Sequence, residues 1–205
     1  MSFYALSIPT PAKVLSAREQ AALLATTGER RSGFRDHILF ALALGTGLRE
    51  HELVALDIAD VVDAEGTTRR RLVLRVFKRA SDTPALQEVL LSETLRTKVT
   101  KFLEWKRRHG EDVADTAPMF VSQKGGRLST RQVRTLFRTW QERAGFERFY
   151  TFHALRHTAC TSVYRRSKDL RLTQRFARHR SIHSTARYSH PDEAELLRVV
   201  QALPC

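Results

Sequence analysis

Residues 34–49 read Phe34-Arg-Asp-His-Ile38-Leu-Phe-Ala-Leu-Ala-Leu44-Gly-Thr-Gly-Leu-Arg49, and this stretch decides the fold. Apolar side chains fill the positions from Ile38 to Leu44 almost without interruption. A helix with no polar face belongs at the centre of a core. Gly45 and Gly47 then stop it, because glycine enters the left-handed conformation that ends helices without steric penalty. The chain turns there, and Arg49 begins the next short helix. The apolar run is far shorter than the ~20 residues a bilayer-spanning helix needs.

Working outward, most other segments also read as helical. Ser16-Ala-Arg-Glu19 is a capping box, in which serine and glutamate satisfy each other's exposed amides, so a helix should run to about Thr27. Gly28 to Gly33 reads as a loop. A second capping box, Ser129-Thr-Arg-Gln132, opens a helix over 129–144 that Gly145 stops. Further helices are expected over 92–108, 152–165, 170–178, 182–189 and 191–203. Residues 64–70 read as a polar turn, and Arg71–Phe77 with Pro84–Leu91 as two strands joined across Lys78–Thr83. The expected fold class is mainly α with a small antiparallel β-sheet, an α+β arrangement.

A chain of 205 residues suits one domain with short extensions. The expected division is an extended lead-in over 1–15, a main domain over 16–190 and a C-terminal helix and tail over 191–205. Lys and Arg number 35 against 22 Asp and Glu, a net charge of +13. That surplus favours a polyanionic partner, nucleic acid above an acidic membrane surface. Arginine dominates the cations, which suits two-pronged grips on phosphate. Two cysteines, Cys160 and Cys205, make no disulfide framework, and no basic-then-apolar leader opens the chain. The expectation is a cytoplasmic protein with no membrane partner.

Two helices carry candidate chemistry. In 129–144, Val133, Leu136, Phe137 and Trp140 recur at core spacing, while Arg131, Arg134 and Arg138 form a stripe on another face. Such a stripe is either a solvated surface or a track for a phosphate backbone, and the pattern leaves both open. The same holds for Lys124 and Arg127 in the turn Lys124-Gly-Gly-Arg127. In 152–165, His153 and Arg156 lie one turn apart on a shared face, so both can point at one anion. His153, His157 and Cys160 also have ligand-like spacing. A metal is rejected, because Arg156 among them would repel a cation and no second Cys/His cluster exists.

Three segments then carry a resemblance. Thr46-Gly-Leu-Arg-Glu-His-Glu-Leu53, Phe152-His-Ala-Leu-Arg-His-Thr158 and Arg178-His-Arg-Ser-Ile-His-Ser-Thr-Ala-Arg-Tyr188 resemble the three signature boxes of the tyrosine recombinases, also called the phage integrase family. They stand in the family's order, with its usual interval between His179 and Tyr188. The likeness runs over roughly residues 15–203. A lone tyrosine or histidine is ordinarily structural; three boxes together are not a chance pattern.

The resemblance implies a tyrosine recombinase catalytic-domain fold and a site-specific DNA recombinase. Such an enzyme cuts and rejoins double-stranded DNA through a 3′-phosphotyrosine, with no metal, ATP or other cofactor. Tyr188 would be the nucleophile. Arg49 and Arg156 would hold the nonbridging oxygens, and His179 would hydrogen-bond one of them. His153 would assist proton transfer at the phenol, and Lys78, in the strand turn, would protonate the departing 5′ oxygen. Glu52 would orient the site. The family works as a homo-tetramer on DNA, in some cases with accessory DNA-bending proteins, and its C-terminal helix often docks on a neighbouring protomer.

The chain also departs from the pattern. Arg178 stands where members commonly have glycine, no glycine precedes Lys78, and only about 15 residues precede the catalytic helices. The chain therefore resembles the small single-domain members, or is a fragment of a longer protein. A DNA-binding regulator that has lost strand exchange and a type IB-like topoisomerase are the alternative readings. The complete set of catalytic side chains argues against the first, and the compact boxes and short length against the second.

Overall fold

The helix α2 (Phe34–Thr46) is the element around which residues 13–159 pack. Ile38, Leu39, Phe40, Leu42 and Ala43 are at most 1% exposed, as an apolar helix without a polar face requires. The computed structural model describes residues 13–29, 33–74, 87–189, 197–198 and 200–204. Residues 1–12, the whole strand turn with Lys78 and most of the helix expected over 191–203 lie outside them.

Around α2 the described order is α1 (Ala17–Gly28), α3 (Glu50–Ala55), α4 (Ile58–Val61), β1 (Arg71–Leu74), β2 (Gln87–Leu90), α5 (Glu93–Arg108), α6 (Thr130–Arg143) and α7 (His153–Ser167). The fold is thus mostly helical with a two-stranded antiparallel sheet, as expected. Both capping boxes form: Ser16 Oγ accepts from Glu19 N–H at 3.2 Å while Glu19 accepts from Ser16 N–H at 2.7 Å. Ser129 and Gln132 exchange the same bonds at 3.2 and 2.9 Å.

Packing then selects particular residues. A Cβ on Gly45 would lie 2.5 Å from Leu95 Cδ1, so this glycine lets α2 approach α5. Phe137 of α6 meets Phe40 and Phe152 edge-on at 5.5 and 5.6 Å. Burial of each large ring contributes roughly 1.5–3 kcal/mol, and together they hold the start of α7 against α2 and α6. Leu15, at the end of the expected lead-in, is buried and donates its N–H to Thr158 Oγ1 of α7 at 2.9 Å.

Buried polar groups find partners. Trp140 Nε1 donates to Asp36 at 2.8 Å, and Arg35 holds the same carboxylate. Lys98 Nζ lies 2.7 Å from His37 Nε2. An ammonium can only donate, so Nε2 accepts and Nδ1 carries the proton donated to Leu24 O at 2.9 Å. Burial and the neighbouring ammonium push the His37 pKa down, keeping the ring neutral for this role.

In the sheet, Leu72 pairs with Val89 and Leu74 with Gln87. Leu72, Leu74 and Val89 face the core, the alternation a half-buried strand demands. The expected strands are longer, 71–77 and 84–91, but 75–86 lie outside the described residues. Sequence reasoning missed α4. It is one turn long and held from afar, by Ile58 N–H to Ala117 O at 3.0 Å and an Asp57–Pro118 bridge.

Contacts divide the chain into two compact units, with the boundary inside α7 between Ala159 and Cys160. The main domain expected over 16–190 therefore spans both. The second unit contains the end of α7, α8 (Leu170–Ala177) and α9 (His183–Ala186). It has its own small cluster of Cys160, Ala177 and Tyr188, packed by Tyr164 and Phe176.

Asp169 caps α8, accepting from Arg171 and Leu172 N–H at 2.7 and 3.0 Å. Arg178 ends α8 at φ 55°, ψ 42°, in the left-handed region. A side chain there is strained relative to glycine. Arg178→Gly is therefore expected to raise stability by about 0.5–1 kcal/mol, read as a higher thermal midpoint; an unchanged or lower midpoint contradicts it.

Candidate active site

Gly47 ends α2 in the left-handed conformation (φ 63°, ψ 22°), with its N–H on Ala43 O at 3.0 Å. Two residues later Arg49 is the N-cap of α3, in extended conformation. Glu52 folds back on this cap. Its carboxylate accepts from Arg49 N–H at 2.7 Å and from Arg49 Nη1 at 2.8 Å. Glu52 is 8% exposed, so one buried carboxylate fixes both the backbone and the guanidinium of Arg49.

The helix α7 brings the second group. His153 is exposed at its first turn, and Arg156, one turn further, is only 2% exposed. Arg156 Nη1 donates to Gly47 O, the carbonyl of the turn that presents Arg49. The two segments meet through this buried cation, 109 residues apart in sequence. Arg49 and His153 line one open cleft of about 690 Å³ together with Glu50, His51, Arg134, Tyr150, Thr151 and Phe152. His51 and Tyr150 were not anticipated there. Arg49 and Arg134 can receive an anion there in exchange for the carboxylates of Glu52 and Glu50, which hold the two guanidiniums in its absence.

Tyr150 is a phenol in this cleft, yet its oxygen is committed elsewhere. It donates to Glu19 at 2.9 Å and accepts from Arg148 Nε. Burial first, then the hydrogen bond to the Glu19 carboxylate, pushes the phenol pKa above its ordinary value. Burial alone would raise the Glu19 carboxyl, but hydrogen bonds from Ser16 and Tyr150 and the Arg148 charge hold it below its usual range. The pair therefore makes the Tyr150 proton harder to remove than that of a free phenol.

The basic stripe on α6 divides by partner. Arg134 makes a two-pronged pair with Glu50, Nε lying 3.0 Å from both carboxylate oxygens and Nη2 close to one. That carboxylate raises the guanidinium pKa, so Arg134 remains charged. Arg138 pairs with Glu142 at 2.7 Å and lies over the Phe149 ring at 3.3 Å. Arg131 and Lys124 line a separate cleft of about 350 Å³ with Arg35.

Arg127, expected as a phosphate contact, is exposed and is also bonded within the protein. Its Nη1 donates to Val54 O and Leu56 O at 3.0 and 3.1 Å, and Nη2 pairs with Asp57. Those bonds make it a strut that joins the 121–127 turn to the end of α3.

His179 and Tyr188 belong to the second unit. Their rings lie parallel, at 11° and 6.1 Å between centroids. His179 Nδ1 is 3.0 Å from the hydroxyl of Thr185, a fully buried residue of α9. Gln174 of α8 donates to the carbonyls of His179 and Arg180 at 3.1 and 3.3 Å and so fixes the turn. Neither Thr185 nor Gln174 stood out in the sequence, although each lies within six residues of His179. Tyr188 is 5% exposed. The helix expected over 182–189 closes after Ala186, and Tyr188 N–H turns back to Thr185 O at 2.9 Å.

His153 and His157 meet edge-on at 4.5 Å. Among the described residues, no group of three or more His, Cys, Asp or Glu side chains is arranged to hold a metal ion, and no helix is long and apolar enough to cross a membrane.

Comparison with known proteins gives a consistent result. Residues 13–195 match the profile of the Phage integrase family. The chain is 32% identical over 187 residues to the tyrosine recombinase XerC of Vibrio cholerae serotype O1, covering 91% of this chain and 57% of that protein. It is 27% identical to the tyrosine recombinase XerD of Staphylococcus epidermidis, with 91% and 60% covered. The chain thus spans 57–60% of the length of these relatives.

Among solved structures, the XerA recombinase superposes with a TM-score of 0.74 at 26% identity, over 96% of this chain and 67% of that one. The XerH recombinase bound to its difH substrate shares the fold, with a TM-score of 0.74 at 20% identity over 98% and 57%.

Proposed function

This chain belongs to the phage integrase family, and on that basis we propose that it is a site-specific DNA recombinase. It cuts and rejoins one strand of a duplex at a time through a 3′-phosphotyrosine. The observation that carries this reading is the joining of Arg49 and Arg156 through the Gly47 carbonyl, beside a cleft that Arg49 shares with His153. A phosphodiester repels nucleophiles with its own negative charge. Two guanidiniums fixed beforehand stabilise the extra charge of the pentavalent transition state without reorganising when it forms.

The reaction balances without a cofactor. The Tyr188 oxygen forms a bond to phosphorus as the bond to the 5′ oxygen breaks. The phenol proton passes to a base, the role of His153, and the departing 5′ oxygen receives a proton from Lys78. His179 hydrogen-bonds a nonbridging oxygen, and Glu52 keeps Arg49 in place. In the reverse step a 5′ hydroxyl attacks the phosphotyrosine and the phenol leaves. If that hydroxyl comes from a second duplex, strands are exchanged. One ester replaces another at each step, so no ATP is required.

Double-stranded DNA is the partner this reading requires, with Arg131, Arg134, Arg138, Lys124 and Arg127 as backbone contacts. In this reading the protein assembles into a tetramer on DNA, with its C-terminal segment facing a neighbouring protomer. Leu197, Val200 and Leu203 are each at least half exposed, an apolar edge suited to a neighbouring protomer.

A duplex with a nick beside the cleavage point tests the proposal, because the short released fragment diffuses away and traps the intermediate. In EDTA and without nucleotide, the chain is expected to become linked to a 3′ end and to leave a free 5′ hydroxyl. Failure to form a covalent product on its target site, or a requirement for a divalent metal, contradicts it.

A further inference from the structure

Arg134 is the member of the α6 stripe that reaches the cleft of Arg49, and it is already gripped by a carboxylate from the residue beside Arg49. Glu50 and Arg134 are 84 residues apart, so only the fold brings them together. The Glu50 side chain is 21% exposed and that of Arg134 is 63% exposed. The pair is therefore open to exchange with an external anion. Two carboxylate oxygens against Nε and Nη2 is the same geometry a phosphate would offer that guanidinium.

We propose that Glu50 is an internal stand-in for phosphate, one that DNA must displace before Arg134 can hold the backbone. The inference rests on the DNA reading of this cleft. Its physical basis is an exchange of partners. When a duplex engages Arg134, Glu50 loses its cation and stays as a negative charge next to the phosphate that Arg49 holds. A duplex lying loosely on α6 gains little from that exchange. Glu50 thus weakens the attachment of DNA through Arg134.

The test is a double-mutant cycle on the full chain, with affinity for a random-sequence duplex measured across a salt series. Glu50→Gln is expected to bind about two- to tenfold more tightly than the native chain. Its salt slope should steepen by about one unit, because Arg134 then meets phosphate without first leaving a carboxylate. In an Arg134→Ala background the same substitution should gain little. Glu104→Gln, on the exposed face of α5, reports the general effect of removing one negative charge, and Glu50→Ala repeats the test with a different side chain.

An equal gain in the Arg134→Ala background, a gain no larger than that of Glu104→Gln, or no gain at all overturns the inference while leaving DNA binding intact. Absence of DNA binding by the native chain at low salt overturns the DNA reading along with it.

Discussion

Replacing Arg156 with methionine is expected to lower the rate of DNA strand cleavage by about two to three orders of magnitude, the usual effect of removing one preorganised charge donor from a transition state. Arg156 is almost fully buried, and it bonds to the turn that presents Arg49. The substitution therefore removes a positive charge and also loosens the mount of a second. The Gly47 carbonyl loses a donor, which costs about 1–3 kcal/mol. Methionine of similar length keeps the volume filled, offsetting part of that. Activity should thus fall far more than the thermal midpoint. Arg156→Lys separates charge from shape: an ammonium keeps the charge but not the flat fork, so it should recover only part of the rate. Full activity in Arg156→Met would remove this residue from the reaction.

Tyr188→Phe is expected to abolish the covalent product while leaving DNA binding and folding nearly unchanged. The ring, which supplies most of the contact with Cys160, Ala177, Tyr164 and Phe176, is retained. Only the oxygen that would attack phosphorus is lost. Tyr188 is nearly covered in the structure, at 5% exposure. Attack on a phosphodiester therefore requires the segment carrying it to become more exposed than it is here. A substitution that eliminates chemistry while sparing affinity and stability identifies a nucleophile rather than a packing residue.

Local signals in the sequence were read correctly because their physics is local. The capping boxes Ser16–Glu19 and Ser129–Gln132 satisfy amides within a single turn, so four residues of sequence suffice to place a helix start. The unbroken apolar run of α2 and the glycine after it identify the central helix and its end in the same way.

What escaped sequence reading depends on partners far along the chain. Arg127 looked like a surface cation in a glycine turn, yet its partners lie more than 69 residues away, at Val54, Leu56 and Asp57. The Glu50–Arg134 and Glu19–Tyr150 pairs are separated by 84 and 131 residues. No spacing rule connects positions so distant. Arg178 is different: it stands where the family pattern has glycine, and the left-handed backbone supplies the physical reason.

For the candidate site, the sequence named the groups but not their mutual placement. His153 and Arg156 were expected to share a face of one helix, which their spacing guarantees. The bond from Arg156 to the Gly47 carbonyl could not be inferred from spacing, and it is what relates α7 to the loop of Arg49. Thr185 and Gln174, which fix His179, were hidden for another reason. A threonine or glutamine in a short polar helix usually faces solvent, and nothing in the residue type distinguishes one that holds a ring or a turn.

The most direct measurement is to digest the chain after trapping on a nicked duplex and to identify, by mass spectrometry, the peptide that retains the nucleotide. The account predicts a phosphotyrosine bond at Tyr188, joined to a 3′ end. A nucleotide attached at Tyr150, the phenol that lines the cleft of Arg49, or at any other side chain would contradict it.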